Sequence, residues 1–187
     1  MNKAIDISGV TLRTARLLLR PWEASDLADF YEYARVDGVG QMAGWLPHQS
    51  PEESRRILNL FIEGKRTFAL EHQGKVIGSL GIERYDEAHY PELAPLMGRE
   101  IGYVLSKDYW GRGFMPEAVQ AVIQYLFEVE NLDFIIASHF EHNRQSARVQ
   151  QKCGFAYGKT LPYETQYGTV ETSIENILYR PRDGMRP

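Results

Sequence analysis

The sequence predicts a single α+β domain built on a mixed sheet with about four helices, and three observations lead there. The elements read in the order strand, two helices, three strands, helix, strand, helix, strands, which is not the strict alternation of a doubly wound fold. Gln73-Gly74 separates two apolar runs, RTFALEH and KVIGSLGIERY, as a hairpin turn. REIGYVLS followed by YWGRGFMPEAVQAVIQYLFE reads as strand, glycine turn and helix in succession.

Each element has its own signal. Residues 11–22, TLRTARLLLRPW, read as one extended first strand with Leu17 and Leu19 on the buried side and Pro21 ending it. Leu27, Phe30, Tyr31 and Ala34 follow helical spacing, with Ser25 as the expected cap. A glycine-rich loop follows, then a second helix with Ser50 as N-cap, Pro51 in the first turn, Glu53 completing a capping box, and Ile57, Leu60 and Phe61 on one face. The hairpin gives strands two and three. DEAHYPELAPLMG is a long irregular segment, of the kind that more often carries function than not. After the fourth strand, Pro116 opens a helix with Val119, Val122, Ile123 and Leu126 on one face. LDFIIASHF reads as a buried fifth strand, and residues 144–153 as a fourth helix capped by Asn143 and stopped by Gly154. Further strands start at Phe155 and in SIENILYR, and RPRDGMRP reads as a frayed tail.

Composition bounds the function. The 187 residues fit one domain, and 43% hydrophobic with 25% charged residues can close a sizeable core. A net charge of −4 removes the broad attraction that drives nonspecific nucleic-acid binding, so no direct nucleic-acid partner is expected. A lone cysteine, Cys153, cannot form an internal disulfide or a multi-cysteine zinc site and suits a reducing compartment. The five histidines form no HExxH pattern, and His139 and His142 lack a third ligand, so no metal is expected. Asp6 interrupts the opening MNKAIDISGV where a signal peptide needs an unbroken apolar stretch, and no run approaches the roughly 18 residues of a membrane span. The expectation is a soluble cytoplasmic protein.

Chemistry enters at the turn Gly111-Arg112-Gly113, where backbone N–H groups gather at the positive end of the following helix and favour a phosphate or pyrophosphate. The turn lacks the Lys-Ser/Thr pair of a P-loop and the third glycine of a dinucleotide fingerprint; alone it is equally a plain tight turn. Taken with TARLLLRPW, Gly44-Trp45, EIGYVL, YWGRGFMPEA and the Asn143-x-x-Ser146 segment ending in Gly154-Phe155, the chain from about 11 to 180 resembles the GNAT superfamily of acetyl-CoA-dependent N-acetyltransferases. Within it the chain is similar to the Rim-type ribosomal-protein alanine/serine N-terminal acetyltransferases. WGRGFM matches the family's pyrophosphate loop at Gly113 and departs from it at Trp110 and Met115.

The resemblance implies a mostly antiparallel twisted sheet and acetyl-CoA as co-substrate, with no metal. It implies that Val104, Leu105 and Ser106 pair with the pantetheine arm through their backbone. Gly111, Arg112, Gly113, Phe114 and Met115 would hold the pyrophosphate, and Asn143 and Ser146 would meet the cofactor arm. Many relatives carry a tyrosine acid seven residues after the asparagine; Gln150 stands there, which excludes that acid.

Amine acetylation needs a deprotonated amine, a donor to the developing oxyanion and a proton for the departing thiolate. Glu100 is the first candidate base, or else a surface strand carboxylate. Glu164 is the second, or else an exposed loop acid, and Glu83 could face the same cleft or solvent. Ser146 is either the acid or a helix cap. Cys153 reads as packed, and Tyr109 and Trp110 as packing beneath the turn, or else Trp110 touches the cofactor. The loops at 36–49 and 86–98 are expected to flank the acceptor cleft, where Asp86, Glu87 and Glu92 either attract a cationic substrate or form a solvated rim. The implied acceptor is a protein N-terminal α-amine of the ribosomal-protein type; a small-molecule amine and a noncatalytic acyl-CoA sensor stand as alternatives, and both monomer and homodimer fit the fold.

Overall fold

A computed structural model describes residues 1–181; of the tail expected over 180–187, Arg180 is held by its N–H to Asp133 O (2.8 Å), and the part from 182 onward lies outside the described residues. Eight strands form one sheet in the order β1-β2-β3-β4-β5-β6-β8-β7. They are β1 (Leu12–Arg13), β2 (Leu18–Pro21), β3 (Thr67–His72), β4 (Lys75–Glu83), β5 (Gly98–Leu105), β6 (Phe134–Phe140), β7 (Ala156–Glu164) and β8 (Val170–Tyr179). Every neighbouring pair is antiparallel except β5 and β6. Four helices cover the sheet: α1 (Leu27–Ala34), α2 (Pro51–Gly64), α3 (Phe114–Glu128) and α4 (Arg144–Lys152). None is long and apolar enough to cross a membrane among the described residues.

Period-2 alternation divides the core between two faces. On one face Ile101 and Leu105 of β5 and Ile135 and Ala137 of β6 pack under Val119, Val122 and Leu126 of α3, with Ile5 and Ile7 of the N-terminal segment closing the edge. On the other, Trp22, Phe30, Tyr33 and Leu58 join Ala69 and Val76 under α1 and α2, while Tyr85, Tyr90 and Leu93 of the irregular segment seal Phe134 and Ile136. Gly98 is required where β5 starts: a Cβ there would sit 2.2 Å from the Phe134 ring.

Several local expectations hold. Ser50 accepts the Glu53 N–H (3.2 Å), Pro51 opens α2, and Gln73 and Gly74 both take positive φ (51° and 79°), the geometry of a tight hairpin turn. Others need correction. The first strand is two, because the backbone turns at Thr14, whose N–H bonds to Leu17 O (3.0 Å). Ser25 does not cap α1; it lies in a 3-10 turn, where the Asp26 carboxylate takes the Glu23 N–H (2.8 Å). Glu53 reaches back to the N–H of Gln49 (2.7 Å) rather than Ser50. Leu60 is 55% exposed, and Leu58 is the residue α2 buries.

Candidate active site

The fourth and fifth predicted strands, β5 and β6, make the site by failing to stay together. They pair in parallel only from Gly98↔Phe134 to Ile101↔Ala137. Beyond that point β5 continues along β4 to Leu105↔Gly78, and β6 continues along β8 to Phe140↔Ser173, so the sheet splits into a V. The V opens into a cleft of about 560 Å³ lined by both strands, the turn before α3, the first turns of α4, and Val39, Met42 and Ala43 of the first loop.

Ladder parity tells which backbone groups face the gap. Ser106 N–H donates to Ile77 O (2.7 Å), and antiparallel bonding alternates every two residues, so Val104 and Gly102 direct their N–H and C=O to β4. Tyr103 and Leu105 turn theirs toward the split. The Leu105 carbonyl is taken by the Trp110 indole N–H (2.8 Å), which leaves Tyr103 and the Leu105 N–H facing the gap. Of the stretch expected to pair with a pantetheine arm through its backbone, only Leu105 turns a free N–H to the gap: Val104 lines the cleft but its backbone is committed to β4, and Ser106 neither lines the cleft nor has a free N–H. On β6 the same parity turns the Ser138 carbonyl into the split, where the Gln150 side chain, 1% exposed, donates to it from α4 (2.9 Å).

The glycine turn lies at the far end of β5. Gly111 and Gly113 both adopt positive φ (73° and 79°), and a Cβ on Gly111 would meet nothing within 4 Å, so the backbone there is open to an approaching anion. The first-turn N–H groups of α3, from Phe114 and Met115, have no partner within the helix and carry its positive end. The turn is held from behind: Glu117 accepts from Thr14 Oγ1 (2.5 Å) and Arg16 Nε (2.7 Å), and Arg16 Nη1 donates to Arg112 O (2.9 Å). Gly111, Gly113, Phe114 and Met115 line the cleft; the Arg112 side chain does not, and lies over Tyr109 and Phe114. These features fit the diphosphate and extended arm of acetyl-CoA. Arg148 and Lys152, one α4 turn apart, add positive charge to the cleft wall.

The opposite end is acidic. Glu100 and Glu83 are cross-strand partners that both line the cleft, and the Ser138 hydroxyl donates to Glu100 Oε1 (2.8 Å). Burial pushes the Glu100 carboxyl up to about 7 against the downward pull of that hydrogen bond, and the nearby Glu175 and Glu83 charges add to the rise. Five residues of β5 separate Glu100 from Leu105, about 17 Å at roughly 3.3 Å per residue. The cleft is thus polarised, with an anion cradle at one end and a carboxylate near neutrality at the other.

Glu164 is not brought to this site. Tyr163 turns into the cleft from β7, and alternation turns the neighbouring Glu164 outward, where it is exposed. The 86–98 segment does not flank the cleft either. Glu87 binds the backbone and side chain of Asn2 (2.8 and 2.9 Å), Asp86 caps Ala88, and Glu92 reaches Lys159 (3.5 Å). Asn143 is the true cap of α4, accepting from the Ser146 N–H (3.1 Å) while its amide donates to Met42 O (3.3 Å) and ties the first loop to the cleft. Ser146 is therefore free of capping: its Oγ lies 2.9 Å from the Tyr103 hydroxyl and 3.3 Å from Gln150 Nε2. Cys153 is packed, its thiol pushed up to about 11 by burial.

Sequence reasoning missed Tyr103, Ser138, Phe140 and Tyr163, all cleft residues. Tyr103 was visible only as one member of the alternating strand; nothing local marks which neighbour it meets.

The comparisons with known proteins agree with this geometry. The family model described as acetyltransferase (GNAT) domain matches residues 16–156. The chain is 30% identical over 184 residues to a Bacillus licheniformis protein named uncharacterized N-acetyltransferase p20, covering 93% of this chain and 99% of that one. A 55-residue stretch, 29% of this chain and 28% of the relative, is 31% identical to the Escherichia coli [ribosomal protein uS5]-alanine N-acetyltransferase. The crystal structure of a GNAT-family acetyltransferase from Bacillus anthracis superposes with a TM-score of 0.78 at 23% identity, covering 91% of this chain and 98% of that one. A polarised cleft in a split sheet, a family match over most of the chain and a full-length N-acetyltransferase relative converge: the chain belongs to the GNAT acetyltransferase family and is an acetyl-CoA-dependent acyltransferase.

Proposed function

We propose that the protein acetylates a protein N-terminal α-amine, with Glu100 as general base and Ser146 as proton donor to the leaving sulfur. Acetyl-CoA supplies the activated acetyl group, its diphosphate at Gly111–Met115 and its arm along Tyr103–Leu105 and the start of α4. The observation that carries this reading is the Glu100 carboxyl poised at about 7 on the cleft wall. A base at that value takes a proton efficiently from an amine of pKa about 7.7 to 8.0, while a lysine near 10.4 leaves a free-amine fraction some few-hundredfold smaller at neutral pH. Glu83 beside it is ion-paired with Arg66 (2.8 Å), which leaves Glu100 as the carboxyl that meets the amine. The Rim-type motifs and the Escherichia coli relative that acts on an alanine of uS5 support a ribosomal-protein terminus beginning with Ala or Ser.

Mass spectrometry of Ala- and Ser-initiated peptides, lysine-containing blocked peptides and a panel of small amines, each incubated with enzyme and acetyl-CoA, tests the reading. Modification at the free α-amine is expected. Acetylation confined to lysine side chains or to small amines overturns the N-terminal assignment, and no consumption of acetyl-CoA with any amine favours a noncatalytic sensor.

A further inference from the structure

The Tyr103 hydroxyl lies 2.9 Å from Ser146 Oγ across the split, although 43 residues separate them in sequence. Gln150 limits what Ser146 Oγ can still accept at this contact. Its Nε2 donates to the Ser138 carbonyl (2.9 Å) and its Oε1 accepts from the Asn176 amide (2.6 Å), so the amide cannot be turned round. Nε2 is then a donor to Ser146 Oγ as well (3.3 Å), which occupies one of the two lone pairs of the hydroxyl. Tyr103 meets Ser146 Oγ more closely than it meets the Ser146 carbonyl, at 3.4 Å. Burial pushes its phenol up to about 12, which keeps it a neutral donor throughout the working pH range.

We infer that Tyr103 is a positioning residue for acetyl transfer: by donating to Ser146 Oγ it fills the second lone pair, so the one hydrogen of Ser146 must point out into the cleft. The inference rests on the reading in which Ser146 faces the leaving sulfur. In that step the amine nitrogen forms a bond to the acetyl carbonyl carbon and gives its proton to Glu100. The carbon–sulfur bond breaks with its electron pair going to sulfur, which takes the proton of the aimed Ser146 O–H; the hydroxyl regains a proton from water, to which Glu100 releases the one it took from the amine. Only the backbone of Tyr103 lies along the cofactor arm in this scheme; its hydroxyl touches neither the acetyl group nor the sulfur. It acts only through Ser146.

A double-mutant cycle separates this role from mere packing. With the acceptor amine that the mass-spectrometric screen returns, Tyr103→Phe is expected to lower kcat about tenfold and to leave the KM for acetyl-CoA within twofold. Ser146→Ala is expected to lower kcat about 10- to 100-fold, and adding Tyr103→Phe to it should change kcat by less than twofold. A tenfold loss in both backgrounds overturns the inference, because the phenol would then act without Ser146. Parent turnover in Tyr103→Phe alone also overturns it. Parent turnover in Ser146→Ala alone removes the underlying Ser146 role, a failure recognised without any change at Tyr103.

Discussion

Replacing Glu100 with Gln separates the carboxyl's two consequences, for turnover and for stability. The substitution keeps the side-chain shape and an oxygen that can accept the Ser138 hydroxyl, now 2.8 Å from Oε1, while removing the proton acceptor. Loss of a general base is expected to lower kcat by about 10²–10³-fold, with the KM for acetyl-CoA within about threefold, and to erase the acidic limb expected of the parent near pH 7. Stability moves the other way. Below about pH 4.5 the carboxyl is neutral whether the chain is folded or not and contributes nothing. As pH rises toward 7 the unfolded chain ionises first, and above 7 the folded state carries a charge in a partly desolvated site, so the parent loses stability across this window. The rise from 4.5 to about 7 corresponds to at most roughly 3 kcal/mol, and solvent in the open cleft trims that to about 1–3 kcal/mol. Urea unfolding of both proteins from pH 4 to pH 8 should show Glu100→Gln more stable at pH 8 by that amount, with the gain fading toward pH 4. Equal stability at pH 8 would refute the burial argument; unchanged kcat with the limb retained would refute the base.

Gly113→Asp places a negative charge beside the anion cradle at a position with φ of 79°, 3.5 Å from Arg16 Nη2; calorimetric titration with acetyl-CoA should show affinity falling more than tenfold while the melting temperature stays within a few degrees. Glu164→Gln, on the outward face of β7, should leave kcat and its pH profile within twofold of the parent, and a Glu100-sized loss there would show that the edge of the sheet moves during turnover.

What could be read in the sequence divides by range. Ser50-Pro51, Asn143 with Gly154, and Gln73-Gly74 act over three or four residues, so caps and turns carried their own labels and those elements stand where expected. Ser25 misled because a 3-10 turn capped by Glu23 and Asp26 precedes the helix and takes Ser25 into it, and Leu60 because Leu58 turns to the core in its place. Glu164 failed by one residue for a different reason. The pairing of β7 with β8 shifts register between Tyr157 and Lys159, and each such bulge inverts the side-chain parity of everything after it, so no count along the strand could say whether residue 163 or 164 faces the cleft.

The cleft itself is a long-range feature, since no local pattern says that β5 and β6 part after Ile101↔Ala137. Once they part, its consequences follow in order. The Ser138 carbonyl loses its strand partner and, half-buried in the cleft wall, takes another donor. Gln150 supplies it, and Asn176 locks Gln150 in turn. A tyrosine at position 150 has no amide with which to reach both Ser138 O and Ser146 Oγ, so a helix that repairs the split in this way cannot also offer a phenol from the same residue. The only phenol hydrogen-bonded to Ser146 among the described residues comes from the other arm of the V, Tyr103, and it reaches the cleft through a serine. The departure at Gln150 and the contact at Tyr103 are therefore two sides of one solution to the broken sheet.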